Sequence, residues 1–393
     1  MSFGGISLKH PLPMFRKNSK DYQRKKLELG LAGMILEFLA LLAFLLSRLN
    51  IHLRDALISL VGGHFLLLLP CYIFTLALAH EILFFPLSYI KGHRLEKEHH
   101  LSNQSFTSWL EDHLKFTIIG WALGFLAILC VYALLRRYPE GWWWRAAFLL
   151  WIGYILLVKF APLFIFPLFF KFTPLEDGEL KDGILHLSEK AGVRVKGLFS
   201  FDMSKKTKAA NAAISGLGST CRILLADNML SSHSTDEITA VVAHELGHHR
   251  HHHLIKGIII NLFFLLLFLF ISSRVIIWGI GVFGFQGSWD VASFPLLALV
   301  FSIGTMIFLP FVNSLLRSFE RTADRFALES TQSPEAFISM MGKLSNENLS
   351  DPSPHPLIEF LFYSHPSINK RISLARKFQE KITSRDSSDA TEQ

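Results

Sequence analysis

Apolar residues in this chain gather in long unbroken runs, with no strand-like alternation and no narrow helical stripe. Runs at 29–47, 56–90, 116–135, 146–170, 257–280 and 291–314 each approach or exceed the ~20 residues that carry a helix across a bilayer core. The run at 56–90 is too long for one crossing and contains Pro70 and Pro86. It reads as one tilted helix projecting beyond the bilayer or as two short passes, so the pattern predicts six or seven transmembrane helices. The fold class is therefore mainly α and polytopic. Polar segments separate the runs: a basic N-terminal segment at 1–28, a His-rich loop at 91–115, and soluble-type segments at 171–256 and 317–382. Transmembrane helices 1–4 then fall within 29–170 and helices 5–6 within 257–316. The stretch 383–393 is rich in Ser, Asp and Thr and reads as a disordered tail. No internal repeat is evident.

Composition agrees with this division. Hydrophobic residues make up 51% and charged residues 18%, with 36 Phe, which excludes a disordered, fibrous or ordinary soluble chain. The net charge of +7 would suit a nucleic-acid binder, but in a polytopic protein Lys and Arg mark cytoplasmic loops. Lys9, Arg16, Lys17, Lys20, Arg24, Lys25 and Lys26 precede the first run, whereas the loop after it has only Arg48 and Arg54. Six spans then place the N-terminus, both soluble segments and the C-terminus in the cytoplasm, with no nucleic-acid partner. Trp142, Trp143 and Trp144 beside Arg145 suit the opposite interface. Cys71 and Cys130 lie in apolar runs and Cys221 stands alone, so no disulfide framework or Cys-based zinc site is available. With no apolar stretch before Leu29, a cleavable signal peptide is not expected.

The chemistry concentrates in the first soluble segment. Residues 234–253 read as a helix, opened by a Ser234/Glu237 capping box and striped by Ile238, Val241, Val242 and Leu246. On it sits His244-Glu245-Leu246-Gly247-His248. Two His one turn apart reach one tetrahedral Zn²⁺ at ~2.0–2.1 Å, with Glu245 placed to take a proton from water. The blander reading is a polar face beside a solvated run of His249, His251, His252 and His253; the cap and the adjoining apolar run favour zinc. A catalytic zinc needs a third protein ligand. Glu320, with Asp324 one turn further along a helix continuing from the last run, completes a His₂Glu set, and Asp324 can accept a ligand's spare ring N–H. On spacing alone Glu320 and Asp324 read equally as a solvated acidic face flanked by Arg317, Arg321 and Arg325.

Several segments in order resemble the type I CAAX prenyl endopeptidases, membrane zinc proteases with a gluzincin-like core. They are the Trp109-to-Lys115 segment, the Pro174-to-Leu180 segment, Ser204-Lys205-Lys206 with Asn211-Ala212, the His244 motif, Glu320-x-x-Ala323-Asp324 and Ser364-His365-Pro366. The resemblance implies a chamber enclosed by the transmembrane helices and one zinc per chain held by His244, His248 and Glu320. It implies Glu245 as general base and Asp324 as partner of a ligand. It also implies an edge strand at Asn211-Ala212 that pairs with substrate, and His365 and Arg371 lining the site, His365 steadying the oxyanion. The spacing around Asn211 itself fits ordinary hairpin pairing equally well.

The implied activity is hydrolysis of peptide bonds, as in enzymes that remove the C-terminal tripeptide of prenylated proteins, with peptide or protein substrates and membrane lipids as partners. Ala213 stands where the family has an aromatic, and Pro366-Ser367 where it has Pro-Pro. A shorter chain without an ER retrieval signal points to a bacterial inner membrane. The alternatives are quality-control proteolysis of membrane proteins and, from the His run with His64, Lys159, Asn261 and Asn313, metal handling or transport.

Overall fold

The computed structural model describes residues 13–216 and 221–389. Helix α1 (Pro13–Leu46) leads to α2 (Leu49–Val61) and α3 (Phe65–Tyr89), which runs through a π-helical turn into α4 (Leu95–Glu98). Helices α5 (Phe106–Arg137) and α6 (Trp142–Phe164) follow. The chain then forms β1 (Phe172–Pro174), α7 (Glu179–Lys190), β2 (Gly197–Phe201), β3 (Ala212–Ser215), β4 (Arg222–Ala226), α8 (Asp227–Ser232) and α9 (Thr235–Arg250). It returns through α10 (His253–Phe283) and α11 (Phe294–Thr331) and ends in α12 (Pro334–Glu347), α13 (Pro356–Phe362) and α14 (Ile368–Asp389). Among the described residues, 6 helices are long and apolar enough to cross a membrane. Their outer faces carry exposed Ile35, Leu66, Phe116, Phe164, Phe263 and Met306, an apolar surface too extensive for water.

Three expectations are corrected. The run at 56–90 is not one helix: it breaks at Gly62-Gly63, where Gly62 adopts φ +75°, while Pro70 and Pro86 stay inside α3. The positive φ suits glycine and reverses the chain without a side-chain clash. α2, 13 residues long, is too short to span at 1.5 Å per residue. The basic N-terminal segment is not separate from the first span, because α1 already begins at Pro13. Lys25–Asp21 at 3.0 Å and Arg24–Glu28 at 3.7 Å link successive turns, and buried Tyr22 donates to Glu96 at 2.6 Å. The expected tail from Thr383 is helical to Asp389, since no Gly or Pro stops a helix already nucleated by its packed face; 390–393 lie outside the described residues.

At the end of the bundle away from the soluble segments, Arg54 pairs with Asp290, 1% exposed. Asp290 also accepts from the Gln286 and Ala292 amides. Asn50 donates to the Ala292 carbonyl at 2.8 Å, and Tyr132 meets Ser293 at 3.0 Å. This polar knot fastens α2, α5 and the start of α11 together. Between α1, α3 and α5 lies an apolar cavity of about 670 Å³, into which Glu37 and His80 intrude.

The soluble lobe is built on a four-stranded sheet of order β1-β2-β4-β3. β2 and β4 are parallel, and the outer strands are antiparallel to their neighbours. Its core joins Ile223, Leu225, Ile184, Ile238, Val242, Leu246, Phe337 and Met340, so α7, α9 and α12 pack on the sheet. β3 is an edge strand among the described residues. The polar loop before α5 docks on this lobe: Asn103 and Lys208 exchange backbone hydrogen bonds with Lys206 and Leu101, and Lys206 pairs with Asp112. α11 is a single 38-residue helix running from the bundle into the lobe alongside α9, as the sequence predicted.

Candidate metal centre

The site begins with the cap of α9. Ser234 accepts from the Glu237 amide at 3.3 Å, and the Glu237 carboxylate accepts from the Ser234 amide at 2.8 Å, closing the predicted box. Glu237 also receives Ser339 at 2.6 Å and Lys343 at 2.7 Å from α12. Burial works against the charge, but these donors win and hold its pKa down at about 2.

Three turns on, Gly247 faces α11 so closely that a Cβ there would lie 3.0 Å from the Ala323 Cα and 3.2 Å from its carbonyl oxygen. Backbone cannot yield as a side-chain tip can, so the glycine sets the separation of the two helices. One turn apart on α9, the Nε2 atoms of His244 and His248 lie 3.1 Å from one another, and the close approach of α11 brings Glu320 to both. Glu320 lies 3.3 Å from His244 Nε2 and 3.2 Å from His248 Nε2. One ligand atom from each of the three falls within 4.8 Å of the others.

Each imidazole is held from behind. Asp324 Oδ1 lies 2.9 Å from His244 Nδ1; as acceptor for Nδ1–H it leaves a lone pair on Nε2, directed at Glu320. Arg371, buried, grips both Asp324 oxygens. His248 Nδ1 is 2.9 Å from Nδ1 of His253, which is 6% exposed and stacked on Phe319 at 4.3 Å. Burial disfavours a charged His244, but Asp324 and Glu320 outweigh it and lift its pKa to about 9. The same negative field would attract a metal cation, which takes the place of that proton on Nε2. Glu320 Oε2, buried and without a hydrogen bond, is a further acceptor in need of one. The donor set therefore fits a divalent metal of borderline softness.

A cleft of about 450 Å³ opens onto this cluster, with Asn211, Ala212, Glu245, His365 and Arg371 in its wall. Burial pushes the Glu245 carboxyl above its ordinary value. His365 Nε2 lies 3.3 Å from Glu320 Oε1, and Ser364 Oγ lies 2.9 Å from His365 Nδ1. Of the nine site residues named from the sequence, seven line this cleft, while His248 and Asp324 stand beside it in contact with Glu320 and His244. Two positions escaped that reading. These are His253, which touches His248 although the sequence sets it in a run of His beside the motif, and Gly247, which the sequence shows only as a position inside the motif. The small residue inside the motif was a signal for close helix approach; nothing in the spacing marked His253. Arg371, expected to line the site, gains a partner in Asp324 that spacing did not predict.

The sequence profile of peptidase family M48 matches residues 174–379. The chain belongs to this family. A second profile, the CAAX prenyl protease N-terminal region with five membrane helices, matches 14–171. There this chain has four helices long enough to span and the short α2. "Uncharacterized metalloprotease YhfN" of Bacillus subtilis is 30% identical, over 91% of this chain and 85% of that protein. CAAX prenyl protease 1 of Saccharomyces cerevisiae is also 30% identical, over 92% and 86%. The crystal structure of S. mikatae Ste24p superposes with a TM-score of 0.81 at 24% identity, covering 95% of this chain and 91% of that one. The chain is thus a multi-pass membrane metalloprotease of family M48, acting on peptides or proteins, and the metal-handling or transport reading is set aside.

Proposed function

We propose that this M48 protease is a zinc endopeptidase that trims C-terminal peptides from membrane-associated substrates, prenylated ones included. The observation that carries the reading is the joining of the His244–His248–Glu320 cluster and Glu245 with a cleft rimmed by an edge strand, at the foot of a membrane bundle. The name of the yeast relative supports the substrate class.

His244, His248 and Glu320 would hold the metal, and zinc suits two imidazoles and a carboxylate. When bound, such an ion supplies Lewis-acid chemistry, acidifying water and polarising a carbonyl. The side chains do the rest. An extended peptide adds to β3 through main-chain hydrogen bonds, which tolerates varied side chains. Glu245 takes the proton from the attacking water and returns it to the leaving amine, a role its raised pKa suits. With Ser364 donating to His365 Nδ1, Nε2 carries the proton and faces Glu320 Oε1 at 3.3 Å, and from beside the metal ligands it would donate to the developing oxyanion. Asp324, fixed by Arg371, keeps the His244 lone pair on Nε2. The excess of Lys20, Arg24, Lys25, Lys26, Lys91, Arg94 and Lys97 at the catalytic end supports a cytoplasmic site, and the Bacillus relative a bacterial inner membrane.

Mass spectrometry of products from farnesylated and plain versions of one peptide, and from a misfolded membrane protein, tests the reading. Release of a short C-terminal fragment, faster from the farnesylated peptide, is expected. Cleavage confined to the misfolded protein, at many positions, would replace it with quality control.

A further inference from the structure

Behind the metal centre, on the far side of Arg371 from the cleft, α11 and α14 enclose a separate recess of about 240 Å³. Arg317, Arg321, Arg325, Lys370, Arg371 and Lys377 reach it, against two carboxylates, Asp324 and Glu359. Both carboxylates are already paired, Asp324 with Arg371 and Glu359 with Lys370 at 2.8 Å. Arg317 is committed to the carbonyls of Glu359, Phe360 and Tyr363. Arg321, Arg325 and Lys377 have no carboxylate partner among the described residues. All three are exposed, but they line one recess, where two guanidinium forks and an ammonium can serve a single anion together.

The recess lies just past the last exposed apolar turn of α11. Phe311 and Leu316 are exposed and apolar, the last such residues on α11. Arg321 follows five residues later, about 7.5 Å further along the helix, and Arg325 nine residues later, about 13.5 Å, at 1.5 Å per residue. Side chains on a helix lean back toward its N-terminal end, here the membrane side. The headgroup layer is about 5–7 Å deep on each side of the hydrocarbon. α13 is fixed at the same height by Asn313 and Arg317, which bond to the Leu361 and Glu359 carbonyls, and it turns exposed Leu357 and Phe360 outward. We propose that this recess binds the phosphate of an anionic phospholipid from the leaflet next to the catalytic lobe. Arg321 and Arg325 grip the phosphate, Lys377 adds charge from α14, and Leu357 and Phe360 lie against the acyl chains.

The full-length protein in detergent, titrated with phosphatidylglycerol or phosphatidylcholine and read by native mass spectrometry, tests this. Each basic group beside an anionic lipid is worth about fivefold, so Arg321→Gln/Arg325→Gln/Lys377→Gln should weaken phosphatidylglycerol binding about a hundredfold. Phosphatidylcholine binding should not change, and Arg321→Lys/Arg325→Lys, which keeps the charge but loses the forked donors, should fall between wild type and the triple variant. If the triple variant does not fold, Arg325→Gln alone, expected at about fivefold, decides. Equal phosphatidylglycerol binding by wild type and variant would overturn the proposal. So would inorganic phosphate binding at the recess without preference for phosphatidylglycerol over phosphatidylcholine, which would make it a site for soluble phosphate.

Discussion

The metal cluster depends on side chains that never touch a metal. Gly247→Ala would force a methyl group against the Ala323 backbone and move α9 off α11 by a few tenths of an ångström. Ligand geometry tolerates little such change, so metal affinity should fall at least about tenfold with the helix content intact, as metal titration and circular dichroism would record. His253→Ala removes the partner of His248 Nδ1 and should weaken metal binding about 10–100-fold. Replacing His249, His251 and His252 together should be mild, and equal losses in the two variants would show that His253 has no special part. The difference between His253 and its neighbours was invisible in the sequence, because it depends on the chain reversing at His252, with φ +55°, and folding His253 back under the site.

At the scale of elements, the cap of α9 predicts a pH dependence. The Glu237 carboxyl is held at about 2 against an ordinary 4.5. Its stabilisation is therefore full above about pH 4.5 and is lost as the pH falls toward 2, and at neutral pH it is worth on the order of 3 kcal/mol. Glu237→Gln should lower the melting temperature at pH 7, and the gap from wild type should close on acidification through that window. A gap that is constant with pH would mean the charge contributes nothing. At the opposite end, Asp290→Asn removes the buried one of Arg54's two carboxylate partners and leaves only the exposed Asp55, which should cost about 1–3 kcal/mol, read from thermal unfolding in detergent.

Elements whose cause is local were the legible ones. The capping box, the motif helix and the continuation of α11 to Glu320 all follow from patterns within a few turns. The break at Gly62-Gly63 is also written locally, whereas Pro70 and Pro86, the more obvious breakers, stay within α3. Unread were pairings such as Arg371 with Asp324, 47 residues apart, which exist only once α14 has packed on α11.

For the molecule as a whole, one long helix joins a lipid-facing bundle to a soluble protease lobe. α11 begins at the buried Arg54–Asp290 knot and ends beside the metal cluster, so the bundle fixes the height and rotation of Glu320. The fold class and family could be anticipated because the apolar runs and the His motif are each written in contiguous residues. The cavities could not, because they are bounded by residues from several helices. The most direct test of the central claim is metal content per chain, measured with peptide cleavage on detergent-purified wild type, Glu245→Gln and Glu320→Ala. The account predicts about one zinc in wild type and Glu245→Gln, little in Glu320→Ala, and cleavage by wild type alone, with Glu245→Gln at least about a hundredfold slower. Unchanged zinc in Glu320→Ala, or cleavage at the wild-type rate by Glu245→Gln, would contradict it.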